Sequence, residues 1–314
     1  MERPIISIVC IVYNQEQICT NAFDSFIDQV TTYPFEVVIH DDASSDSTAN
    51  IIEKYCERYP KIFRAILQTE NQYSRGNSPT QIAIEHARGK YIALCEGDDY
   101  WSDVDKLQNQ IDYLEDHPEC TFCFSNGIRI DSNTGESLGK MLPANRREKR
   151  ILNKRCIDAG EMLQIGFPPT GSFVFRKSDY IRRPVFSNNA YQGDRYLQLV
   201  LSAMGYAYYL DKETVCYRTN NPNSVMGSWG ENKKKLIENC NEVITMYKEF
   251  DRFTGGKYSK RLTHYITLRE GQLLLAEGND LGALAPKYLA AYLAEGPIPF
   301  LKHMLHAIRQ LDMR

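Results

Sequence analysis

Short apolar runs alternate with longer amphipathic stretches through the first third of the chain. The runs at 5–12, 35–40, 62–67 and 90–95 are rich in β-branched residues, which is typical of strands buried on both faces. Apolar residues recur every three or four positions at 17–30, after 48 and after 79, which predicts helices. Repeating strand–helix units with short connections predict an α/β protein whose mostly parallel sheet is covered by helices.

The ends of two predicted helices are marked by their own residues. Asp46-Ser47-Thr48 offers a cap for the helix that follows it. Ser78-Pro79 combines a capping serine with a proline at the first helical position, and we expect Gly89 to end that helix.

The pattern changes beyond residue 117. A helix over 103–116 is stopped by His117-Pro118, and short strands are predicted at 120–125 and 127–131. From residue 231 the spacing is helical throughout, with helices predicted at 231–250, 258–277, 280–294 and 298–311. We therefore expect an α/β domain over 1–228 and a helical C-terminal region over 229–314.

Polar and acidic residues directly follow three of the predicted strands. They are Tyr13 after the first strand, Asp42 after the second, and Glu96-Gly97-Asp98-Asp99 after the fourth. Because ligands of such sheets bind beyond the carboxyl ends of the strands, we expect these residues at one edge. Carboxylates at a buried strand end need compensating positive charge, and oxygen ligands on a short loop suit Mn²⁺ or Mg²⁺. In the alternative interpretation, Asp98-Asp99 and Ser102 only cap the helix over 103–116.

Composition narrows the class of protein. The net charge of −3 gives no support for a nucleic-acid binder, which needs a basic excess for phosphate contacts. The mean hydropathy is −0.44, and no apolar stretch approaches the length of about 18 residues that a membrane-spanning helix needs. The start of the sequence does not resemble an export signal, so we expect a cytoplasmic protein.

The nine cysteines are odd in number and scattered along the chain. Only Cys120 and Cys123 have a suggestive spacing, and no second pair completes a zinc ribbon. No H-x-x-x-H pair lies on a predicted helix. We therefore expect reduced thiols and no zinc site.

Three motifs together resemble a family 2 glycosyltransferase of the GT-A fold, over roughly residues 4–225. They are Pro4-Ile-Ile-Ser-Ile-Val-Cys-Ile-Val-Tyr13-Asn14, Glu36-Val-Val-Ile-His-Asp41-Asp42-Ala-Ser-Ser-Asp46-Ser-Thr48 and Gly89-Lys-Tyr-Ile-Ala-Leu-Cys-Glu96-Gly-Asp98-Asp99-Tyr-Trp101. The resemblance implies a catalytic domain over 1–228 and a nucleotide-diphosphate sugar donor, for which we expect a UDP-sugar. It also implies a divalent metal and inversion at the anomeric carbon.

The resemblance assigns roles to the residues at the strand ends. Tyr13 lies where the family packs the donor's base, and Asp42 where a carboxylate accepts hydrogen bonds from the base or ribose. Glu96-Gly97-Asp98 occupies the family's Asp-x-Asp position, with Glu in place of the first Asp. Asp98 is the first expected metal ligand and Asp99 the second, with Glu96 on ribose or water and Gly97 allowing close approach of the ligand. Arg75 either contacts a donor phosphate or is a solvated loop arginine.

Two later segments resemble further motifs of the family. Gly193-Asp194-Arg195 resembles the Glu-Asp base motif, with Gly193 in place of Glu, so we expect Asp194 to be the catalytic base. The alternative is that Asp194 caps the helix it opens, and Arg195 pairs with Asp194 or with phosphate. Tyr217-Arg218-Thr-Asn220 resembles a Tyr-Arg-x-His segment that borders the donor diphosphate, with Asn220 in place of His. Arg218 is therefore an expected donor-binding residue.

Two surface segments have two interpretations each. The stretch 140–155 holds seven basic residues against one acid, and is either a solvated loop or a segment that binds phosphate on an acceptor such as a lipid diphosphate. Near the C-terminus, Ile298, Leu301, Met304, Leu305, Ile308 and Leu311 form an apolar stripe. It either packs on the main domain or lies on the inner membrane surface as a peripheral contact.

These observations predict an inverting glycosyltransferase that acts on a glycan or lipid-linked hydroxyl acceptor, in surface polysaccharide assembly by analogy. A sugar nucleotidyltransferase would need a glycine-rich, basic phosphate loop after the first strand, where this chain has Tyr13-Asn14-Gln15-Glu16. A catalytically silent binding or scaffold protein that keeps the fold is the second alternative, and the Gly193 and Asn220 departures favour it. The sequence makes no prediction of the sugar, the linkage or the oligomeric state.

Overall fold

The structure is a computed structural model that describes residues 3–220 and 232–312, with 306–312 as backbone alone. The predicted domain boundary at 228 lies outside these residues and stays a prediction. By its internal contacts the chain forms two compact units. The first holds the residues up to Arg183 and those from Leu201 to 220, and the second holds Pro184–Val200 and the described residues from 232 onward.

One sheet of ten described strands forms the centre of the first unit. In chain order the strands are β1 Ile6–Val12, β2 Phe35–Asp41, β3 Phe63–Leu67, β4 Tyr91–Leu94, β5 Tyr100–Trp101, β6 Cys120–Asp131, β7 Ser137–Lys140, β8 Cys156–Ile157, β9 Val174–Arg176 and β10 Tyr206–Thr219. They lie in the order β3-β2-β1-β4-β9-β6-β10-β5, with β7 beside β6 and β8 beside β10. The first four strands are parallel, β10 is parallel to β6, and β9 runs antiparallel between β4 and β6.

The helices alternate with these strands and then dominate the C-terminal part. They are α1 Cys19–Ile27, α2 Thr48–Arg58, α3 Pro79–His86, α4 Lys106–Asp116, α5 Arg146–Leu152, α6 Ala159–Met162, α7 Lys177–Arg182, α8 Asp194–Met204, α9 Lys233–Phe253, α10 Ser259–Glu277, α11 Asp280–Ala283, α12 Pro286–Glu295 and α13 Pro297–Asp312. The mixed, mostly parallel α/β architecture and the helical C-terminal region predicted from the sequence are confirmed.

The central strands are apolar along their whole length because both faces are covered. Nearly every residue of β1 and β2 is buried, and the two strands pair in parallel with Ile6 opposite Phe35. On the other side of β1, Ile6 lies opposite Tyr91 of β4. Phe23 and Phe26 of α1 are fully buried against this part of the sheet, in one core cluster with Ile8 and Val37.

Helix α3 confirms its predicted start and corrects its predicted end. Ser78 caps the helix by accepting a hydrogen bond from the backbone N–H of Gln81, and Pro79 is the first helical residue. The helix ends at His86, before Gly89. A Cβ on Gly89 would lie 2.6 Å from the backbone nitrogen of Ser7, so the glycine serves close packing against β1 rather than the helix end.

Three further predictions need correction. The strands expected at 120–125 and 127–131 form one strand, β6, whose register against β10 shifts where an irregularity interrupts the pairing. The basic stretch 140–155 is not simply a loop, since it contains α5. The helix expected at 280–294 is broken between α11 and α12, because Pro286 lacks an N–H and Ala285 before it is extended, with ψ at 143°.

The second unit is built mainly from helices α9 to α13. Phe250 of α9 is fully buried and stacks with Tyr258, their ring centroids 6.2 Å apart. Tyr292 of α12 stacks on His303 of α13 at 3.9 Å, and the His303 ring is also 2.9 Å from the backbone oxygen of Ala283. Ile298, Leu301 and Leu305 of the predicted apolar stripe are exposed, and the side chains of Ile308 and Leu311 lie outside the described residues.

Among the residues that the structure describes, no helix combines the length and apolar character that crossing a membrane requires.

Candidate active site

The end of β1 brings two of the predicted segments together. The backbone oxygen of Val12 accepts a hydrogen bond from the N–H of Asp42 at 3.0 Å. The backbone oxygen of Ile11 accepts one from the N–H of Gly97, also at 3.0 Å. The segment after β2 and the acidic segment after β4 therefore lie on the two sides of β1, as the parallel register requires.

The loops after β1 and β2 are bonded to each other. The N–H of Asn14 donates to Oγ of Ser44 at 2.8 Å, and Oδ1 of Asn14 accepts from the N–H of Ser45 at 2.8 Å. Asn14 and Ala43 both have left-handed backbones, with φ of 51° and 63°. These bonds hold the chain after Tyr13, and the bond from Asp42 to the oxygen of Val12 holds it before; the Tyr13 side chain is 47% exposed. Tyr13 thus presents an accessible ring at the sheet edge, as a base-packing residue requires.

Asp42 is buried and its carboxylate is already bonded to the backbone. Its two oxygens accept hydrogen bonds from the N–H groups of Gln72 at 2.7 Å and Tyr73 at 3.1 Å. Asp42 therefore fixes the segment after β3 beside the end of β1. Its expected bonds to a nucleoside would have to use the remaining lone pairs.

Arg75 lies in the same segment, and its guanidinium forms an ion pair with Glu70. Both side chains are largely exposed. A surface ion pair of this kind contributes little to stability, so either interpretation of Arg75 stays a prediction.

The structure gives a reason for glycine at position 97 that the sequence did not reveal. A Cβ at this position would lie 2.3 Å from Cγ1 of Val12 and 2.5 Å from Oε1 of Gln15. The close approach expected at Gly97 is thus made by β1 and the loop that follows it.

Arg218 at the end of β10 contacts both aspartates of the acidic segment. Its Nη1 donates to the backbone oxygen of Asp98 at 2.7 Å, and its backbone N–H donates to Oδ1 of Asp99 at 2.9 Å. Its guanidinium carbon lies 4.9 Å from the ring centroid of Tyr100. The position follows from the antiparallel pairing of β5 with β10, in which Tyr100 lies opposite Cys216.

The carboxyls of the acidic segment are hard to ionise in this environment. Burial raises the pKa of Asp98, although Arg218 partly opposes it. Burial, together with the nearby carboxylates of Asp98 and Glu96, raises the pKa of Asp99 well above its usual range. The negative charge at this sheet edge is therefore only partly compensated by the protein.

The capping interpretation of Asp98 and Asp99 is wrong. Helix α4 begins at Lys106 with Asp105 as its N-cap residue, several positions after the acidic segment. Ser102 donates its backbone N–H to the oxygen of Thr214 instead, at 3.0 Å. Asp98 and Asp99 thus belong to the loop between β4 and β5.

The side chains of this loop offer oxygen atoms, which are the ligand type that a hard cation prefers. Within the described ranges, no group of three or more His, Cys, Asp or Glu side chains could hold a metal ion. Asp98 and Asp99 nevertheless offer only oxygen atoms, and their raised pKa values mark charge that a cation would stabilise. A protein contribution of one or two carboxylates suits Mg²⁺ or Mn²⁺, because these ions keep positions for water and phosphate oxygens.

Asp194 lies in the second unit, at the first position of α8. Its Oδ1 accepts hydrogen bonds from the hydroxyl of Tyr191 at 2.7 Å and from the N–H of Arg195 at 2.6 Å. Arg195 donates Nη1 to Oε1 of Gln198 at 3.2 Å. A Cβ on Gly193 would lie 2.3 Å from the Tyr191 hydroxyl oxygen, so Tyr191 occupies the space of the side chain that the family motif carries there.

Asn220, which stands in place of the family's histidine, is hydrogen-bonded at the end of β6. Its Nδ2 donates to Oδ2 of Asp131 at 2.6 Å, and its backbone is left-handed, with φ of 62°. The amide is therefore bonded to the residue that opens the turn between β6 and β7.

Two features of the site were missed at the sequence level. Lys106 is fully buried, with Nζ 4.2 Å from the ring centroid of Trp101. Phe167 packs edge-on against Tyr217, with ring centroids 5.8 Å apart. The Phe167–Tyr217 contact joins residues 50 positions apart, which local spacing does not predict to be neighbours. Lys106 is only five positions from Trp101, but a lysine is usually exposed, so its residue type argued against burial.

Comparison with known proteins gives a consistent result. Residues 7–182, more than half of the chain, match the family model described as glycosyl transferase family 2. An uncharacterized protein of Mycobacterium tuberculosis is 41% identical over 172 residues, which are 55% of this chain and 47% of that protein. The UDP-Glc:alpha-D-GlcNAc-diphosphoundecaprenol beta-1,3-glucosyltransferase WfaP of Escherichia coli is 32% identical over 123 residues, 39% of this chain and 45% of that protein. The matches thus span about half the length of these curated relatives.

Among solved structures, the mannosyltransferase PcManGT of Pyrobaculum calidifontis, in complex with GDP-Man and Mn²⁺, has a TM-score of 0.59 at 19% identity. The likeness covers 99% of this chain and 86% of that one. At this identity it shows the fold alone, and the GT-A fold predicted from the sequence is confirmed.

Proposed function

The chain belongs to glycosyl transferase family 2, and from this premise we propose that it transfers a sugar from a nucleotide-diphosphate sugar to a hydroxyl acceptor with inversion at the anomeric carbon. The observation that carries the proposal is the arrangement at the end of β1. There Asp42 and Gly97 are bonded to adjacent residues of the strand, and Tyr13 follows it directly.

For the donor, we propose a UDP-sugar. Tyr13 would pack on the base, while Asp42 and Glu96 would accept hydrogen bonds from the nucleoside. Arg218 would bind the diphosphate, and Arg75 would supply a further phosphate contact. The name of the E. coli relative, which includes UDP-Glc, supports this choice.

Asp98 and Asp99 would hold Mn²⁺ or Mg²⁺. When bound, such an ion neutralises charge on a departing diphosphate. The chain's own contribution is to hold this loop through Arg218, which donates hydrogen bonds to the backbone oxygen of Asp98 and to Oδ1 of Asp99.

Asp194 would remove the proton from the acceptor hydroxyl in a single displacement. The bonds from Tyr191 and from the N–H of Arg195 hold the carboxylate, which keeps lone pairs for an incoming hydroxyl. As acceptor we propose a glycan on a lipid diphosphate, in surface polysaccharide assembly. The diphosphoundecaprenol acceptor in the name of the E. coli relative supports this class.

The experiment combines binding and turnover. Titration calorimetry measures UDP affinity with Mn²⁺, and release of nucleoside diphosphate is followed over a panel of UDP- and GDP-sugars. Asp98→Asn should weaken UDP binding by about tenfold or more. Asp194→Asn should abolish turnover while UDP affinity stays within about twofold.

Asp116→Asn is the matched control, since this aspartate is exposed on α4. It should change neither UDP affinity nor turnover. Loss of UDP affinity in Asp194→Asn would reassign that residue to donor binding. If the unmodified protein releases nucleoside diphosphate from no donor, the silent scaffold alternative replaces the enzymatic one.

A further inference from the structure

Helix α5 carries an exposed basic face. Its members are exposed and make no ion pair among the described residues: Arg146, Arg147, Lys149 and Arg150. The other three cations of the basic stretch differ, because they are paired with carboxylates. Lys140 lies 2.6 Å from Glu213, Arg155 lies 2.7 Å from Asp211, and Lys154 contacts Glu161.

The only acid of this helix is turned inward. Glu148 is fully buried, and its carboxylate accepts hydrogen bonds from the N–H of Gly166 at 2.7 Å and from the N–H of Ala144. Ile151 and Leu152 are buried on the same side. The helix therefore shows only positive charge to solvent, and its own acid does not compensate that charge.

The same carboxylate fixes α5 to the segment that leads to the candidate site. Phe167 directly follows Gly166, is 42% exposed, and packs against Tyr217. Tyr217 precedes Arg218, which holds the acidic loop. Helix α5 is thus linked to Arg218 through one hydrogen bond, one ring contact and two pairs of chain neighbours, all of them within the first unit.

We propose that the basic face of α5 binds the phosphate groups of the acceptor substrate. This deepens the proposed function and rests on it. Arginine pairs with phosphate through two parallel hydrogen bonds, which favours phosphate over a neutral glycan. Four unpaired cations on one short helix repel each other, and a polyanion removes that repulsion. Exposed Phe167 adds an apolar contact beside the charge.

The test uses a short-chain inorganic polyphosphate as the probe, at low ionic strength. The variant R146Q/K149Q/R150Q removes three charges from the face. The control variant K54Q/R58Q/K61Q removes three charges from an exposed part of α2 and the turn after it. We expect the α5 variant to bind polyphosphate about tenfold more weakly. The control should stay within about twofold of the unmodified protein.

Three outcomes overturn the proposal. In the first outcome, the two variants lose equal affinity for polyphosphate, which indicates general charge attraction. In the second, neither variant loses affinity for polyphosphate. In the third outcome, the α5 variant loses binding to phosphatidylglycerol vesicles but keeps polyphosphate affinity, which assigns the face to the membrane. UDP affinity with Mn²⁺ is measured in parallel and should be unchanged in both variants. If the unmodified protein does not bind UDP, the proposed function fails, whereas the polyphosphate comparison tests the face by itself.

Discussion

Lys106 shows how one residue can carry an electrostatic cost inside the core. The side chain is fully buried, its Nζ has no hydrogen-bond partner among the described residues, and it lies over the ring of Trp101. Burial lowers the pKa of this ammonium from 10.5 to about 8. Below that pH the folded protein keeps a charge that its surroundings only partly stabilise.

Substitution of Lys106 by Met should therefore change the pH dependence of stability. Between the folded value of about 8 and the unfolded value of 10.5, the unfolded chain binds the proton that the folded chain releases. The stability of the unmodified protein should rise through this window relative to Lys106→Met, by about 3 kcal/mol. Urea unfolding at a series of pH values measures the difference.

Lys54→Met, on the exposed side of α2, serves as the control for that series. It should show no such trend. A constant difference between Lys106→Met and the unmodified protein across the window would mean that Lys106 ionises normally in the fold.

Arg218 holds the acidic loop through hydrogen bonds to Asp98 and Asp99. Arg218→Gln removes the bond to the oxygen of Asp98 and the positive charge, while the backbone bond to Asp99 remains. We expect UDP affinity with Mn²⁺ to fall by about tenfold. Arg218→Lys keeps the charge and should retain part of the affinity, as titration calorimetry would show. Equal affinity in all three proteins would remove Arg218 from the donor site.

The sequence predicted that Arg218 binds the donor, but it did not predict which residues of the protein Arg218 contacts. Its partners lie 119 and 120 positions away along the chain. Spacing predicts neighbours within a helix or strand, whereas these contacts depend on the edge pairing of β5 with β10. Gly97 is similar, because Val12 and Gln15 define its environment across the sheet.

At the scale of elements, Glu36 joins β2 to β1 and to the turn before β4. Its buried carboxylate accepts bonds from Oγ of Ser7 at 2.8 Å and from the N–H and Nε of Arg88 at 2.7 and 2.8 Å, and Arg64 adds an ion pair at 3.2 Å. Burial alone would raise the pKa of Glu36, but the bonds from Arg88 and Ser7 outweigh it and the pKa is lowered. This carboxylate is therefore most stabilising when ionised.

Glu36→Gln should lower the free energy of unfolding by about 3 kcal/mol at neutral pH, because it removes one partner of a buried ionic network. The contribution is present above the unfolded pKa of about 4.3 and is lost as the pH falls through the lower folded value. Denaturant unfolding at pH values on both sides of this range measures it. Glu53→Gln on exposed α2 is the control, and an equal loss in both variants would contradict the role of the network.

Element prediction succeeded where the chain is buried on both faces. The bounds of β1 to β4 lie within about two residues of those expected, because continuous apolar runs leave few alternatives. It failed at α5, where charge indicated a loop although Asn145 caps the helix by accepting a bond from the N–H of Glu148 at 2.9 Å. It also missed the break at Pro286, since apolar spacing continues across it.

At the scale of the whole molecule, one segment of the predicted α/β domain groups with the second compact unit by its contacts. Residues 184–200 fall within the predicted domain 1–228 but belong to the second compact unit. There the N–H of Ser187 donates to Glu249 at 2.8 Å and that of Tyr191 to the oxygen of Glu242 at 3.1 Å. Contacts with residues some 50 to 60 positions later are not visible in local periodicity.

Two compact units should unfold in two steps. The chain has two tryptophans, Trp101 in the core of the first unit and Trp229, which lies outside the described residues. In Trp229→Phe, fluorescence reports on Trp101 alone, while circular dichroism reports on helices of both units. We expect the two urea transitions not to coincide. Coincident midpoints in this variant would indicate one cooperative unit.

The distribution of thiols makes the protein suited to a chemical assay of opening. All nine cysteines lie in the described ranges and are free, seven of them are buried, and Cys156 is exposed. Burial raises the pKa of Cys10 and Cys95, so these sulfur atoms resist alkylation while the fold is closed. A maleimide should attach first at Cys156, then at half-buried Cys56, and at the seven buried cysteines only as packing is lost. Counting attached labels by mass spectrometry against time then gives opening rates without any engineered probe.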